Sequence, residues 1–91
     1  MKKLERHKTF LKDFRNIKLT DKQFQKLVYF LNKLLNDDPL PPEAKDHPLK
    51  GQLKGARELH LGGDVILIYV KTDTKIILSR IGSHSQLFKK Y

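Results

Sequence analysis

The chain has 91 residues, 38% of them hydrophobic and 32% charged, which fits one small globular domain over residues 1–91 and excludes a disordered chain. It contains no cysteine, so disulfide frameworks, cysteine-ligated zinc fingers and thiol nucleophiles are excluded. The formal net charge is +9, and the basic excess is spread over both halves of the chain. Such a charge favours a polyanionic partner: nucleic acid, a nucleoprotein particle or an acidic protein.

The N-terminal half has the pattern of a short strand followed by two helices. Residues 2–6 alternate weakly and predict the strand, and residues 7–16 predict a short helix with Phe10 and Phe14 on one face. Thr20 and Gln23 fit a capping box at the start of the second helix. Apolar residues then recur with a 3.6-residue period and predict the buried face of that helix: Phe24, Leu27, Val28, Leu31, Leu34 and Leu35.

The second half changes to the pattern of strands. The segment 38–51 holds all four prolines and has little periodicity, and such long irregular segments in compact domains are usually functional. Strands are then predicted up to residue 61, over 64–70 and over 75–80, before a polar and aromatic tail. Gly62-Gly63 predicts a two-residue hairpin turn that pairs Leu61 with Asp64. Helices followed by an antiparallel meander indicate the α+β class.

Nothing in the sequence predicts a membrane or secretory protein. The longest apolar run, over 65–70, is too short to cross a bilayer. The first six residues are charged with no apolar stretch behind them, unlike a secretory signal. We therefore expect a cytoplasmic protein without membrane contact.

Three histidines and one aspartate form the candidate catalytic set. His47 lies in the proline-rich segment, His60 near the end of a predicted strand, Asp64 across the turn from it, and His84 after the last strand. Histidines with a carboxylate can move protons near pH 7 without a metal, as RNA cleavage through the 2′-OH requires. The same set could bind zinc, but no helical ligand spacing is present, so we expect no metal and no cofactor. We expect His7, on the first predicted helix, to be an inert surface residue.

Basic and aromatic residues lie close to these histidines in sequence. Lys50, Lys54, Arg57 and Arg80 are candidates for binding RNA phosphates and for stabilising charge on the phosphoryl oxygens. Phe88 is either a core residue or a base-stacking residue, and its place in a polar tail beside a histidine keeps the second interpretation open.

Several motifs occur in an order that resembles a known family. They are DHPLKG at 46–51, RELH at 57–60, Asp64, and RIGSHSQLF at 80–88, and they resemble the YafQ branch of the RelE/ParE toxin superfamily. The resemblance implies two N-terminal helices packed on a curved antiparallel β-sheet. It also implies a toxin of a type II toxin–antitoxin system, a ribosome-dependent mRNA endonuclease that cuts mRNA in the A site.

The same resemblance implies roles for single residues and for partners. It implies that the catalytic residues are His47, His60, Asp64 and His84. It implies that the residues in contact with RNA are Lys50, Arg57, Arg80 and Phe88. A cognate antitoxin would wrap the toxin, and operator DNA would be bound only through that complex. Two alternatives stay open: a ParE-like toxin that inhibits a protein such as DNA gyrase, and a basic RNA-binding module without chemistry.

Overall fold

A computed structural model describes residues 1–88, and residues 89–91 of the predicted tail lie outside that range. The elements in chain order are β1 (Lys3–Arg6), α1 (Lys8–Asn16), α2 (Asp21–Leu35), β2 (His47–Pro48), β3 (Arg57–Gly62), β4 (Val65–Lys71), β5 (Lys75–Ser83) and α3 (His84–Leu87). Two short 3-10 turns, Pro42–Ala44 and Gly51–Leu53, flank β2 within the proline-rich segment. The α+β class and the order of the main elements are confirmed.

The five strands form one mixed sheet in the order β1-β5-β4-β3-β2. The pairs β2–β3, β3–β4 and β4–β5 are antiparallel, whereas β1 runs parallel to β5, with Leu4 opposite Ile76. The expectation of a purely antiparallel sheet is therefore wrong at this edge. Short hairpins impose antiparallel pairing only on successive strands, and β1 is separated from β5 by both long helices.

Helix α2 is capped as the sequence predicts, but its buried face differs. Thr20 and Gln23 form the capping box of α2. Leu27, Phe30 and Leu34 are buried, while Phe24 and Val28, predicted to be buried, are half exposed. The helix lies on the sheet along one narrow stripe, so apolar residues beside that stripe face solvent.

The tail after the last strand begins with a helix that the sequence analysis did not predict. Ser83 accepts a hydrogen bond from the backbone of Gln86, and the Gln86 side chain accepts one from the backbone of Ser83. This capping box opens α3, whose first residue is His84.

The hairpin between β3 and β4 turns one residue later than predicted. Gly62 pairs with Val65, and a register shift between His60 and Gly62 leaves Leu61 without the predicted partner. Gly62 and Gly63 have φ values of 112° and 58°, which favour glycine. The extra residue in β3 shifts the pairing, so Asp64 lies in the turn and not opposite Leu61.

Both faces of the sheet carry apolar side chains. One face packs against α1 and α2 in a cluster that includes Phe10, Phe30, Leu59 and Tyr69. The other face carries a smaller cluster of Ala56, Ile66 and Ile68, bordered by Leu49, Val70, Leu87 and Phe88. This second face supports the candidate site. Within residues 1–88, none of the helices has the length and apolar character needed to span a membrane.

Candidate active site

Glu58 lies at the centre of the three predicted histidines. Its side chain is 3% exposed, and its Oε2 lies 3.1 Å from Nε2 of His60. The same oxygen lies 3.4 Å from Nε2 of His47, and Oε1 lies 3.2 Å from Nε2 of His84. The structure thus brings His47, His60 and His84 together around one buried carboxylate.

Each member of this cluster comes from a different local arrangement. Glu58 and His60 are two residues apart on β3, so their side chains share a face of the sheet. His47 is directly opposite Glu58 in the β2–β3 register. His84 opens α3, and its backbone N–H donates to the carbonyl of Asp64 at 3.0 Å.

The hydrogen bonds fix which nitrogen of His47 can accept a proton. Its Nδ1 lies 2.7 Å from the carbonyl oxygen of Lys45, which only accepts, so Nδ1 carries the hydrogen. In the neutral ring the lone pair is then on Nε2, the nitrogen that faces Glu58. His60 and His84 can instead donate to the carboxylate through Nε2. The cluster therefore combines a proton acceptor with proton donors.

Glu58 was not among the residues predicted for the site. A buried carboxylate needs hydrogen-bonded or charged partners, and here His60 and His84 can supply them through Nε2. The available signal was its position: Glu58 shares the alternation of His60 and not that of Leu59 and Leu61, which are buried on the helix side.

Asp64 contacts His84 of the cluster through its backbone carbonyl and not through its side chain. Its carbonyl holds the first N–H of α3, as described above. The exposed carboxylate makes no hydrogen bond or ion pair to another residue within 1–88. A catalytic role for this carboxylate stays a prediction.

Arg80 and Lys54 lie on the face that carries the histidines. Arg80 is opposite Ile68, which is opposite Glu58, so it lies two strand spacings, about 10 Å, from Glu58. Its Nε is 2.6 Å from a carboxylate oxygen of Asp13 in α1. Arg80 and Lys54 line a cavity of about 360 Å³, and Lys50 is exposed on the same loop as Lys54.

Arg57 does not reach this face. It pairs in register with Tyr69, whose side chain lies in the helix-side core, and its Nη2 is 2.9 Å from Asp46. The hydrogen bond to Asp46 raises the pKa of Arg57, and burial raises the pKa of Tyr69 well above its ordinary range. The expected RNA-binding role of Arg57 therefore has no geometric support, because its guanidinium is engaged on the opposite side of the sheet.

Phe88 packs partly as a core residue, and its base-stacking role stays a prediction. Its ring centroid is 4.9 Å from that of His84, and the partly buried side chain packs on the cluster of Ile66 and Ile68. His7, which was expected to be an inert residue of the first helix, instead precedes α1 and caps it by accepting a hydrogen bond from the backbone of Thr9.

The cluster also has the ligand types of a metal site. One ligand atom from each of His47, Glu58 and His60 lies within 4.8 Å of the others. Two imidazole nitrogens and a carboxylate oxygen suit copper or zinc. The residues present therefore fit such an ion.

Comparisons with known proteins identify the family of this chain. The family of bacterial toxins of type II toxin–antitoxin systems, YafQ, matches residues 2–89. The chain is 41% identical to the mRNA interferase toxin YafQ of Escherichia coli strain K12 over 80 residues. These residues cover 87% of this chain and 87% of that toxin. It is similar to a chain of the E. coli DinJ-YafQ complex, with TM-score 0.83 and 38% identity over 97% of this chain and 99% of that one. It is also similar to a copper-bound mutant toxin from Helicobacter pylori, with TM-score 0.82 and 40% identity over 97% of this chain and 100% of that one. The chain belongs to the YafQ family of toxins of bacterial type II toxin–antitoxin systems.

Proposed function

We propose that this chain forms a single toxin domain that cleaves mRNA by acid–base catalysis at the histidine cluster. The observation that carries the proposal is the convergence of three histidine Nε2 atoms on the buried carboxylate of Glu58, at 3.1–3.4 Å. The E. coli relative is named an mRNA interferase. A toxin that acts only by binding a protein such as gyrase has no need for this arrangement.

The proposed reaction transfers two protons and breaks one P–O bond. The neutral ring of His47 takes the proton of the ribose 2′-OH, and the 2′-oxygen attacks the adjacent phosphorus. The bond from phosphorus to the 5′-oxygen breaks, and a protonated His60 or His84 gives its proton to that oxygen. The products are a 2′,3′-cyclic phosphate and a 5′-hydroxyl. Glu58 acts through the histidines, since its buried carboxylate orients the rings and stabilises their charged forms.

Basic residues on the same face are proposed to bind the RNA. Arg80 and Lys54 border the cavity of about 360 Å³, and Ile68 and Val70 form part of its lining. Cationic and apolar side chains in one cavity suit a phosphate and a base or ribose. Lys50 adds charge beside this cavity, and Phe88 supplies an aromatic surface next to His84.

The exposure of the site supports dependence on the ribosome. The side chains of His47, His60 and His84 are 49%, 30% and 51% exposed, so they form a surface and not an enclosed pocket. A flexible RNA gains little orientation from such a surface, and orientation accounts for a large part of catalysis. We infer that the ribosomal A site holds the mRNA, that the +9 charge attracts the toxin to ribosomal RNA, and that the toxin acts in the cytoplasm.

Two further partners follow from the family. The E. coli relative has been crystallised in a DinJ-YafQ complex, and we propose that a cognate antitoxin binds this chain. The basic surface suits an acidic antitoxin segment, and operator DNA would be contacted through that complex.

A metal ion has no step in the proposed reaction. The H. pylori relative is copper-bound, and His47, Glu58 and His60 are the residues that would hold such an ion here. A bound ion supplies Lewis-acid chemistry. The same three side chains are needed for proton transfer and ring orientation, so we expect metal binding to compete with cleavage.

The experiment compares His84→Ala with His7→Asn during expression in bacteria. His7→Asn removes an imidazole but keeps a good N-cap, so it controls for general effects of histidine loss. Wild type and His7→Asn should arrest growth and produce new mRNA 5′ ends at codons, and His84→Ala should do neither. If cells that express the wild-type chain stop growing without new mRNA 5′ ends, the nuclease interpretation is wrong and the chain inhibits a protein target.

A further inference from the structure

A second carboxylate, Asp46, is held by two side chains on the face of the sheet opposite the histidines. Nε of Arg57 lies 3.1 Å and 3.2 Å from the two oxygens of Asp46, and Nη2 lies 2.9 Å from one of them. The hydroxyl of Tyr69 donates to the other. Tyr69 is buried, so the packing of the core fixes the position of the side chain that donates to Asp46.

Asp46 directly precedes His47 in an unusual backbone turn. Lys45 has φ 49°, a left-handed conformation that is unfavourable for a residue with a side chain and persists only where neighbouring contacts hold it. The ring of His47 folds back within this turn, with Nδ1 2.7 Å from the carbonyl of Lys45. The adjoining strand β2 has two residues, so strand pairing alone gives this segment little support.

We propose that Arg57 and Tyr69 are positioning residues that act on His47 through Asp46. By holding the Asp46 carboxylate, they maintain the turn that directs Nδ1–H of His47 to Lys45 and leaves Nε2 toward Glu58. Without these contacts to Asp46, the half-exposed ring of His47 can rotate toward solvent and adopt its other tautomer. The consequence for cleavage rests on the proposed function, whereas the conformation of His47 does not.

This role differs from the phosphate contact that the sequence suggested for Arg57. The guanidinium uses Nε and Nη2 on Asp46, and the residue is paired with Tyr69 on the helix side. RNA would have to bind on the other face of the sheet, which carries Glu58 and His60. The bidentate geometry is specific to arginine, so a lysine at this position keeps the charge but cannot donate the two parallel hydrogen bonds.

The test uses Arg57→Lys and Tyr69→Phe in the full chain, with Arg15→Lys and Tyr29→Phe as controls. Arg15 lies at the end of α1, and Tyr29 is 47% exposed on α2. Tyr69→Phe removes one hydroxyl and keeps the packing of the ring, so it tests the proposal even if Arg57→Lys is unstable. Imidazole ¹⁵N NMR of the free protein reports the tautomer of His47, and single-turnover assays on programmed ribosomes separate binding from cleavage.

We expect both variants to move the His47 signals from the Nδ1–H form toward a mixture of tautomers. Cleavage in bound complexes should fall by about 10- to 100-fold, with ribosome affinity unchanged, because a small misplacement of a reacting group has a large effect on rate. Unchanged His47 signals, or an Arg57→Lys defect confined to ribosome affinity, would overturn the proposal. If wild type cleaves no mRNA, the proposed function fails, and the NMR measurement still decides the positioning role.

Discussion

Glu58 and His60 extend from the same face of β3, and their side chains meet at 3.1 Å between Oε2 and Nε2. This pair links the core of the protein to its surface, because the carboxylate is buried and the imidazole is 30% exposed. The two other histidines contact the same carboxylate from β2 and α3. One strand residue therefore sets the relative positions of three candidate catalytic groups.

Replacing Glu58 by Gln should abolish most of the cleavage and keep the fold. Gln has nearly the same shape, but it is neutral and cannot stabilise a charged imidazolium. We expect a rate loss of about 10²–10⁴-fold in single-turnover assays on programmed ribosomes. Glu43→Gln, at an exposed position paired with Lys26, is the matched control and should cleave normally. A Glu58→Gln protein with wild-type rates would show that the carboxylate is not needed.

Asp64→Asn tests the predicted catalytic aspartate without disturbing α3. The variant keeps the backbone carbonyl that holds the N–H of His84. We expect the free energy of unfolding to change by less than about 0.5 kcal/mol, as is usual for exposed positions. Cleavage should fall markedly, since the exposed carboxylate would act on RNA. Asp73→Asn, in the other hairpin turn, serves as the control, and equal activity of the two variants would remove Asp64 from the site.

Cleavage should survive chelation and be inhibited by added copper. EDTA at a level that leaves ribosomes intact should not change the rate, and the RNA ends should be a 2′,3′-cyclic phosphate and a 5′-hydroxyl. Cu²⁺ should slow the reaction by occupying His47, Glu58 and His60. A 3′-hydroxyl product, or loss of activity on chelation, would reject the metal-free mechanism.

Lysines on the helical layer should contribute to ribosome binding and not to chemistry. Lys18 and Lys22 are exposed, whereas Lys26 is paired with Glu43 at 3.5 Å and is a poor choice for reversal. Lys18→Glu with Lys22→Glu should weaken association and reduce its salt dependence by roughly one unit of slope for each phosphate that the variant no longer neutralises. Cleavage within bound complexes should stay the same. Tight, salt-sensitive binding identical to wild type would exclude this layer as the docking surface.

The hydroxyl of Tyr69 should stabilise the fold in a pH-dependent way. Its hydrogen bond to Asp46 predicts that Tyr69→Phe lowers the free energy of unfolding by about 1–2 kcal/mol at neutral pH. Burial raises the pKa of Tyr69 above the ordinary value of 10.0. Above about pH 10, unfolded wild-type chains lose this proton while folded ones keep it, so wild-type stability falls. The difference in free energy of unfolding between wild type and Tyr69→Phe should therefore be smaller at about pH 10.5 than at neutral pH. Urea denaturation at both pH values measures it, and a constant difference would contradict the assignment.

Local sequence determined much of the secondary structure. The Thr20–Gln23 capping box, the period of α2 and the alternation after residue 56 predicted their elements because caps and periodicity act over a few residues. The position of the β3–β4 turn was missed by one residue, since a glycine pair allows more than one register and pairing with the rest of β3 selects it. The parallel partner of β1 was also missed, because it lies some seventy residues away in the chain.

The sequence by itself determined which residue types were available: four histidines, a net charge of +9 and no cysteine. The tertiary structure decided which of them act together. It placed Glu58 among the histidines, turned Arg57 to the opposite face to hold Asp46, and left the Asp64 carboxylate exposed. The physical reason is that a side chain's partners depend on strand register and on the face of the sheet, and a change of one residue reverses that face.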